Sequence, residues 1–442
     1  MDADKKCHKP SGAPLEHRVF TKRWLILCIY FFFAVMSAFQ WYQYSSIANV
    51  IERYYNVSNV AVDWTTVIFN ATFIPLAFPA SYFLNKVGLR WHIIVGTFTM
   101  ALGATVKVFS VEPHLFWVTF VGQTLVSLSQ AVVLPLPQYV AAIWFGANQV
   151  STACAIAVNG TMLGIALGLL LPPMIVHNHD NLEMVGAGLE YMFYWTAGLS
   201  ALSFVFALIF LEAEPPLPPS HEQALKRNES YQDFTVLKNL ILNPCYVLIL
   251  ASYAINQGTV NSLSTLLNRA ILHYFQHGEE FAGRVGLLLI VTGMVGTALW
   301  GVIMDHTLKY RECATIVFAL SVLGMVAFAL TLEVEEEIYV YLSTAFIGFF
   351  LGSYVSIAYS FSYEVTYPAP EGTVGGMLSV ADQVTSMVLT HSCGAIVTHV
   401  DVLWANNVFS LILVVGMVLH VFMKPELRRQ AAHDSGTSEP KP

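Results

Sequence analysis

Charged side chains are unusually scarce in this sequence of 442 residues. Asp, Glu, Lys and Arg together make up 11% of the chain, whereas apolar residues make up 56%. An ordinary soluble domain has about 25% charged residues. So few charges cannot cover a water-exposed surface. The composition therefore excludes a soluble globular protein and predicts one that is embedded in a lipid bilayer.

Cysteine is also scarce, and patterns of reactive residues are missing. The six cysteines all fall in apolar runs or on the side expected to be cytoplasmic, so we expect no extracellular disulfide. There is no CxxC motif and no His/Cys cluster with zinc spacing. A phosphate-binding loop, a nucleophile elbow and a metal-ligand pair on a helix are missing too. We therefore expect no metal, no cofactor and no enzymatic activity.

Long apolar runs recur along the whole chain. A run of about 18 or more apolar residues can cross about 30 Å of hydrocarbon as a helix. We identify twelve such runs, and they predict an all-α membrane protein with twelve spanning helices. The runs cover residues 24–50, 63–85, 91–110, 115–144, 149–173, 190–212, 243–272, 283–304, 313–332, 338–361, 374–398 and 404–423.

The longest polar interruption divides these runs six and six. It predicts a cytoplasmic linker at 213–242, between an N-terminal half at 24–212 and a C-terminal half at 243–423. Tails at 1–23 and 424–442 flank the two halves. Halves of about equal length are typical of two parallel repeats of a six-helix unit.

The placement of basic residues predicts the orientation. Most of the 21 Lys and Arg residues lie in the tails, in the linker and in the loops on the same side, and basic residues accumulate on the cytoplasmic side. We therefore expect both termini in the cytoplasm. Neither tail shows a retention signal, so we expect the plasma membrane, and a mitochondrial or endomembrane location stays open. Asn56, in the sequon "NVS", is a candidate glycosylation site on the outside.

Two loops resemble each other and a known loop motif. They read "ASYFLNKVGLR" at 80–90 and "GVIMDHTLKYR" at 301–311. Both resemble the loop motif of the major facilitator superfamily, in which an acidic group and an Arg pair at a helix end and lock one conformation. The resemblance implies latch residues, which are Asn85, Arg90, Asp305 and Arg311. Asn85 departs from the acidic residue of that motif. Ordinary cytoplasmic basic loops are the alternative.

Polar residues accumulate within a few of the apolar runs. An intramembrane polar side chain needs a protein partner or a wet cavity, so residues that share a run are candidates for a common binding site. For any single Gln or Asn, a hydrogen bond between helices is an equal alternative. The candidates are Gln40, Trp41, Tyr44, Gln130, Asn261, Asp382 and Gln383.

The chemistry of these candidates favours an organic cation. Asp382 is the one clear acid in the middle of a run, and we find no Lys or Arg in a comparable position. Trp41 could form an aromatic box with tyrosines, and an aromatic face attracts a desolvated quaternary ammonium by about 2 kcal/mol. Simple packing is the alternative for Trp41. The tyrosines considered are Tyr44, Tyr354 and Tyr359.

Several strings together closely resemble the feline leukaemia virus subgroup C receptor family, a branch of the major facilitator superfamily. They are "SAFQWYQYSSIANV", "HLFWVTFVGQ", "WFGANQVSTACA", "STLLN" and "EVTYPAPEGT". The resemblance implies transport of choline and ethanolamine compounds, with haem export also attributed to some members. It also implies that Trp41 faces the choline ammonium and that Gln130 and Gln383 line the cavity.

The sequence departs from this family at several positions. Asn261 stands where a family tyrosine is expected, and Asp382 stands where related proteins have a neutral residue. The stretch "NGTMLG" replaces a stretch like "GNQLG", which moves a gate or a hydrogen bond between the halves to Asn159 or Thr161. These differences affect the expected substrate preference more than the expected fold.

The leading hypothesis is a facilitative, monomeric carrier of choline or ethanolamine that works by alternating access. Asp382 could balance the charge of the substrate or couple transport to protons, or it could be a partnered structural acid. A haem exporter of the same fold is the first alternative, and a non-transporting membrane receptor or sensor is the second. No nucleic-acid partner is expected in any of these cases.

Overall fold

The computed structural model describes residues 20–146, 149–215, 234–307 and 309–423. Five side chains within these ranges are outside the description, namely those of Asn85, Ser151, Phe234, Thr235 and Asp305. The described chain is all-helical. Its helices are α1 (Lys22–Tyr42), α2 (Ala48–Tyr55), α3 (Asn59–Val87), α4 (Leu89–Val108), α5 (Phe116–Val133), α6 (Leu136–Trp144), α7 (Val150–Ile175), α8 (Leu182–Phe210), α9 (Phe234–Leu242), α10 (Pro244–Tyr274), α11 (Glu279–Thr307), α12 (Tyr310–Glu333), α13 (Glu337–Thr366), α14 (Glu371–His399) and α15 (Val402–Phe422).

Each of the twelve predicted runs coincides with a helix or a pair of consecutive helices. By length and composition, ten described segments can cross a membrane, or eleven if the bent pair α9 and α10 is one span. Helix α14 is long enough, at 29 residues, but it is not among them. It contains the polar residues Asp382 and Gln383. The predicted all-α membrane fold is confirmed.

Three predicted segments differ in detail from the structure. The first run is interrupted, because α1 ends at Tyr42 and a 3₁₀ turn over Ser45–Ile47 leads into α2. The fourth run is broken at Pro135, between α5 and α6, since proline cannot donate the backbone hydrogen bond that continues a helix. The predicted linker contains α9, which meets α10 at 85°.

Two large apolar cores divide the bundle into halves. One core contains buried residues between Cys245 and Met423. The other contains residues between Ile26 and Leu211, together with Ile290 of α11. The halves touch along α7 with α11 and along α3 with α14. Since each half has a core of its own, relative movement of the halves disturbs mainly these two seams.

Glycines on one face of α7 allow it to approach α1 closely. Gly160, Gly164 and Gly168 recur every four residues, and each lies against the α1 backbone or side chains. A Cβ atom at Gly168 would lie 2.7 Å from the Phe39 carbonyl oxygen. The glycine spacing in the sequence therefore reflects close helix packing.

We expect Gly164→Ala to destabilise the protein. Its Cβ atom would overlap the Val35 carbonyl oxygen and lie 2.8 Å from Cβ of Ala38. Overpacking of this kind costs about 1–3 kcal/mol, which exceeds the gain of about 1 kcal/mol in helix propensity. The measurement is the thermal unfolding midpoint in detergent. Gly198→Ala in α8 is the control, because no heavy atom lies within 4 Å of its Cβ position. An equal or raised midpoint for both variants would contradict the prediction.

Candidate functional site

The end of α1 places Trp41 deep in the bundle. The indole is 4% exposed and its Nε1 donates a hydrogen bond to the Thr66 carbonyl of α3 at 3.1 Å. Its ring stacks on Phe69, with ring centres 5.6 Å apart and an interplanar angle of 8°. The hydrogen bond and the stacking both come from α3, so this helix fixes the orientation of the indole.

A buried carboxylate lies among polar side chains from both halves. Asp382 of α14 accepts a hydrogen bond from Asn261 Nδ2 at 3.0 Å through Oδ1. Its Oδ2 accepts one from Gln383 Nε2 at 3.3 Å. The Tyr42 hydroxyl of α1 donates to Asn261 Oδ1 at 3.3 Å. Asp382 is 7% exposed. The structure therefore brings together three predicted site residues, Asn261, Asp382 and Gln383, and adds Tyr42, which the sequence analysis did not select.

Some buried amide groups on α5 and α14 have hydrogen-bonding atoms without a partner among the described residues. Gln130 of α5 accepts a hydrogen bond from the Ser37 hydroxyl at 2.9 Å, but its Nε2 has no partner among the described residues. The Oε1 atom of Gln383 is likewise buried and unpaired there. A buried polar group without a partner costs about 1–3 kcal/mol. A free donor on α5 and a free acceptor on α14 are therefore each suited to a polar ligand or to water.

A further hydrogen bond joins the halves near the carboxylate. The Nδ2 atom of Asn70 in α3 donates to the Ser386 hydroxyl in α14 at 3.0 Å. Asn70 follows Phe69, which stacks on Trp41, and Ser386 lies one helical turn from Asp382. The aromatic pair and the carboxylate thus belong to elements that meet at one seam. We call Trp41, Phe69, Asn261, Asp382 and Gln383 the central site.

Gln40 and Tyr44 lie outside the central site, contrary to their grouping with Trp41 in the sequence. The Oε1 atom of Gln40 accepts a hydrogen bond from Lys107 Nζ at 2.8 Å, and its Nε2 donates to the Ser200 hydroxyl at 3.1 Å. The ring of Tyr44 contacts Phe193 and has Lys107 Nζ 5.7 Å from its centre. Both residues therefore point into the N-terminal half.

Lys107 is a buried cation that the sequence analysis missed. It is fully buried in α4, and its Nζ donates to Gln40 Oε1 and, at 3.1 Å, to Gln123 Oε1. Gln123 Nε2 in turn donates to the Gln40 carbonyl at 2.7 Å, which lies in the last turn of α1. Cations are favoured at the negative end of a helix dipole. A single Lys within the apolar run 91–110 was the available signal.

The aromatic box predicted around Trp41 included Tyr44, Tyr354 and Tyr359. In the structure, the described ring contacts of Trp41 are with Tyr42 and Phe69 instead. Tyr354 packs in the C-terminal core and its hydroxyl is hydrogen-bonded with Ser252 and His420. Tyr359 packs edge-on against Tyr253. The aromatic partner of Trp41 is Phe69 instead, because α3 rather than the C-terminal half lies against the indole.

An ion cluster joins the two halves at the end of the bundle remote from Lys22 at the start of α1 and Phe422 at the end of α15, which we call the distal end. Arg269, in α10, donates to both carboxylate oxygens of Asp63 at 2.9 Å each. Its Nη2 lies 3.2 Å from Glu52 Oε1 and donates to the Asn59 carbonyl at 2.9 Å. The Arg269 side chain is 10% exposed. One guanidinium of the C-terminal half thus holds two carboxylates of the N-terminal half.

Other hydrogen bonds between the halves strengthen this closure. Asn268 Nδ2 donates to the Ser46 carbonyl at 2.9 Å. Glu279, at the start of α11, accepts from Asn49 and Asn178 at 2.9 and 2.7 Å. All of these bonds lie at the distal end, on the same side of the central site. The structure is therefore closed at that end.

Of the residues predicted to form latches in the two loops, the structure shows hydrogen bonds for Arg311, and the latches themselves stay a prediction. The side chains of Asn85 and Asp305 lie outside the described part of the chain, and Arg90 is exposed. Arg311 binds the last helix, with Nε to the His420 carbonyl at 3.1 Å and Nη2 to the Val421 carbonyl at 2.7 Å. A basic side chain there satisfies carbonyls at the end of α15, so Arg311 connects helices within its own half.

The other predicted gate and surface residues are placed as follows. On α7, Asn159 is exposed and Thr161 is buried. Within the described ranges, neither makes a side-chain hydrogen bond to the opposite half. Asn56 is exposed and ends α2 with a left-handed backbone, φ 51°. It lies at the distal end, as predicted for a glycosylation site, and its modification stays a prediction.

A separate cavity of about 650 Å³ opens at the distal end. Its walls include His177 and His179 from the N-terminal half and Glu279, Glu280 and Glu337 from the C-terminal half. Among the described residues, no group of three or more His, Cys, Asp or Glu side chains is arranged to hold a metal ion. The cavity lies beside the ion cluster rather than at the central site.

The arrangement places a buried carboxylate and a stacked indole on helices that meet between two halves. An all-α membrane bundle of two halves with polar residues at its central seam is the architecture of a membrane transporter. Residues 24–390 match the family model described as Major Facilitator Superfamily.

Relatives resemble the chain over almost its whole length. It is 37% identical over 421 residues to "Choline/ethanolamine transporter flvcr2b" of Danio rerio, covering 95% of this chain and 87% of the relative. It is 39% identical to FLVCR1 of Felis catus over 423 residues, covering 95% and 76%. It is 36% identical to FLVCR2 of Homo sapiens over 419 residues, covering 94% and 80%. The chain belongs to the feline leukaemia virus subgroup C receptor family of the major facilitator superfamily, as the sequence motifs predicted.

Proposed function

We propose that this protein transports choline, ethanolamine or both across a membrane by alternating access. The observation that carries the proposal is the central site, where a buried carboxylate beside an unpaired amide oxygen and a stacked indole lie on helices that meet between the two halves. The relatives named above are called choline/ethanolamine transporters. The carboxylate gives a physical reason for a cationic substrate, since a buried charge needs a counter-charge.

The residues of the central site, together with Gln130, have distinct roles in this proposal. The Trp41 indole attracts the substrate ammonium through a cation–π interaction. Asp382 balances the positive charge. The unpaired Nε2 of Gln130 donates to the substrate hydroxyl, and the unpaired Oε1 of Gln383 accepts a hydrogen bond from it or from the ammonium. Asn261 holds Asp382 in place.

The distal ion cluster acts as a gate in this mechanism. We place both termini in the cytoplasm and the protein in the plasma membrane, which makes the distal end extracellular. The structure then corresponds to a state closed to the outside. Opening that end requires Arg269 to leave Asp63 and Glu52, and closing it restores the ion pairs. We propose facilitative transport by a monomer, without enzymatic activity.

The haem alternative fits the central site less well. Haem carries two propionates, and Asp382 at the seam would repel them. Haem would also need an axial ligand, and His391 of α14 has its Nδ1 3.0 Å from the Met387 carbonyl and packs against Trp64. A receptor without transport activity would leave the unpaired buried amides without a ligand. The amine carrier therefore accounts for more of the structure.

Uptake of labelled choline and ethanolamine by cells that express Trp41→Ala tests the proposal. We expect saturable uptake by the wild type and a loss of about tenfold or more in the variant, because cation–π attraction of about 2 kcal/mol is removed. Trp41→Phe is the matched control, since it keeps an aromatic face but loses the Thr66 hydrogen bond, and we expect an intermediate value. Surface levels are matched by labelling. Background uptake of both amines by the wild type would reject the amine carrier.

A further inference from the structure

The Asp382 carboxylate has only amide partners. Its two named hydrogen bonds come from the neutral groups of Asn261 and Gln383. In the described part of the chain, no Lys, Arg or His nitrogen lies within 4 Å of it. The residue is 7% exposed. A buried charge in these surroundings is expensive, since isolated buried ions are normally paired.

The carboxylate and its neighbour retain capacity to accept hydrogen bonds. An ionised carboxylate offers about four acceptor sites, and two donors are present here. Gln383 adds its buried, unpaired Oε1, which belongs to the same amide group whose Nε2 contacts Asp382. The site is therefore rich in acceptors, and the missing partners are donors.

The aromatic part of the site is small by comparison. One face of Trp41 is covered by Phe69 at 5.6 Å, and the neighbouring Tyr42 ring is tilted by 39° at 5.3 Å. Tyr44 and Tyr354 pack elsewhere. Tyr359 packs edge-on against Tyr253, and both lie close enough to Asp382 to interact with it electrostatically. A quaternary ammonium has no N–H group and depends on aromatic faces, so it cannot supply the donors that Asp382 and Gln383 lack.

We propose that the central site selects an ammonium that carries N–H bonds, such as ethanolamine, over a fully methylated one such as choline. This inference rests on the proposed transport of amines and adds the substrate preference. A primary ammonium donates three hydrogen bonds, which the Asp382 oxygens and Gln383 Oε1 accept. A quaternary ammonium leaves these acceptors unpaired, and a site built to bind N–H groups rejects an analogue that lacks them.

The test is a methylation series. Uptake is measured for ethanolamine, its N-methyl and N,N-dimethyl derivatives, and choline, in cells that express the wild type or Asp382→Asn. Choline cannot make the charge-assisted hydrogen bonds that ethanolamine makes, so we expect kcat/KM of the wild type to fall about tenfold or more from ethanolamine to choline. Asp382→Asn keeps the side-chain size and should lower ethanolamine transport more than choline transport, which brings their ratio close to one.

The outcomes separate this inference from the proposed function. Choline transported by the wild type as well as ethanolamine would overturn the preference and leave the amine carrier intact. An equal loss of both amines in Asp382→Asn at normal surface level would also overturn it. No flux of any member by the wild type would reject the amine carrier and the preference together. The wild-type series decides the question even if the variant does not fold.

Discussion

Arg269→Ala is expected to abolish most transport and to open the distal end. The substitution removes the one guanidinium that binds Asp63 and Glu52, whose side chains are 8% and 22% exposed. Two carboxylates of the N-terminal half are then left near each other without a counter-charge. Breaking a buried ion pair in this way costs about 3–5 kcal/mol.

The loss of these bonds destabilises mainly the closed state, because Arg269 joins the two halves in that state. A difference of about 3–5 kcal/mol shifts a two-state equilibrium by about 100-fold or more. A carrier held open at one end cannot return through the closed state. The loss should therefore be in the turnover number more than in the KM for the substrate.

Accessibility of an engineered cysteine measures the opening directly. Ser46→Cys places a thiol at a buried position, 4% exposed, beside the Asn268 hydrogen bond between the halves. A membrane-impermeant thiol reagent added outside should label it faster in the Arg269→Ala background. Arg284→Ala is the matched control, because Arg284 is an exposed arginine whose hydrogen bond within the described ranges goes to the Glu280 carbonyl of its own helix. Unchanged labelling and uptake in Arg269→Ala would show that the cluster is no gate.

Lys107→Met is the second variant with a large expected effect. It keeps the length of the side chain but removes the donor to Gln40 and Gln123. The end of α1 then loses the cation that binds Gln40. This affects the site because Trp41 is the next residue in the chain. We expect uptake to fall about tenfold, with a raised KM, because Gln40 and Gln123 hold the last turn of α1 less firmly and the backbone that carries Trp41 shifts relative to α3.

Stability should respond differently from transport in this variant. Two amide oxygens lose their donors, at about 1–3 kcal/mol each, but a buried ammonium is removed, which relieves a desolvation cost of several kcal/mol. These contributions oppose each other, so we expect the thermal unfolding midpoint to change little. Lys86→Met is the control, since Lys86 is an exposed lysine in the last turn of α3. Full uptake in Lys107→Met would contradict a role in positioning Trp41.

Much of the fold was predictable because the bilayer restricts what a chain can do. Every backbone polar group in hydrocarbon must be bonded within the chain, so a long apolar run becomes a helix. This reasoning located the helical spans to within a few residues, and Pro135 marked the break between α5 and α6. The motifs around Trp41 predicted the family, which the comparisons confirm. Asp382, Asn261 and Gln383 were candidates for a common site because polar side chains within a membrane span need partners. The structure shows that they contact one another.

The tertiary structure alone decided which way adjacent side chains point and which distant residues pair. Gln40 and Trp41 are consecutive, yet Gln40 turns toward Lys107 and Trp41 toward Thr66 and Phe69. Arg269 and Asp63 are separated by 206 positions and are partners because the helices that carry them meet between the halves. The sequence by itself determined the helical bundle, its division into two halves and its polar residues, since these depend on local hydrophobicity. The partners of each polar group depend on how helices rotate and pack, and no local property of the chain determines that.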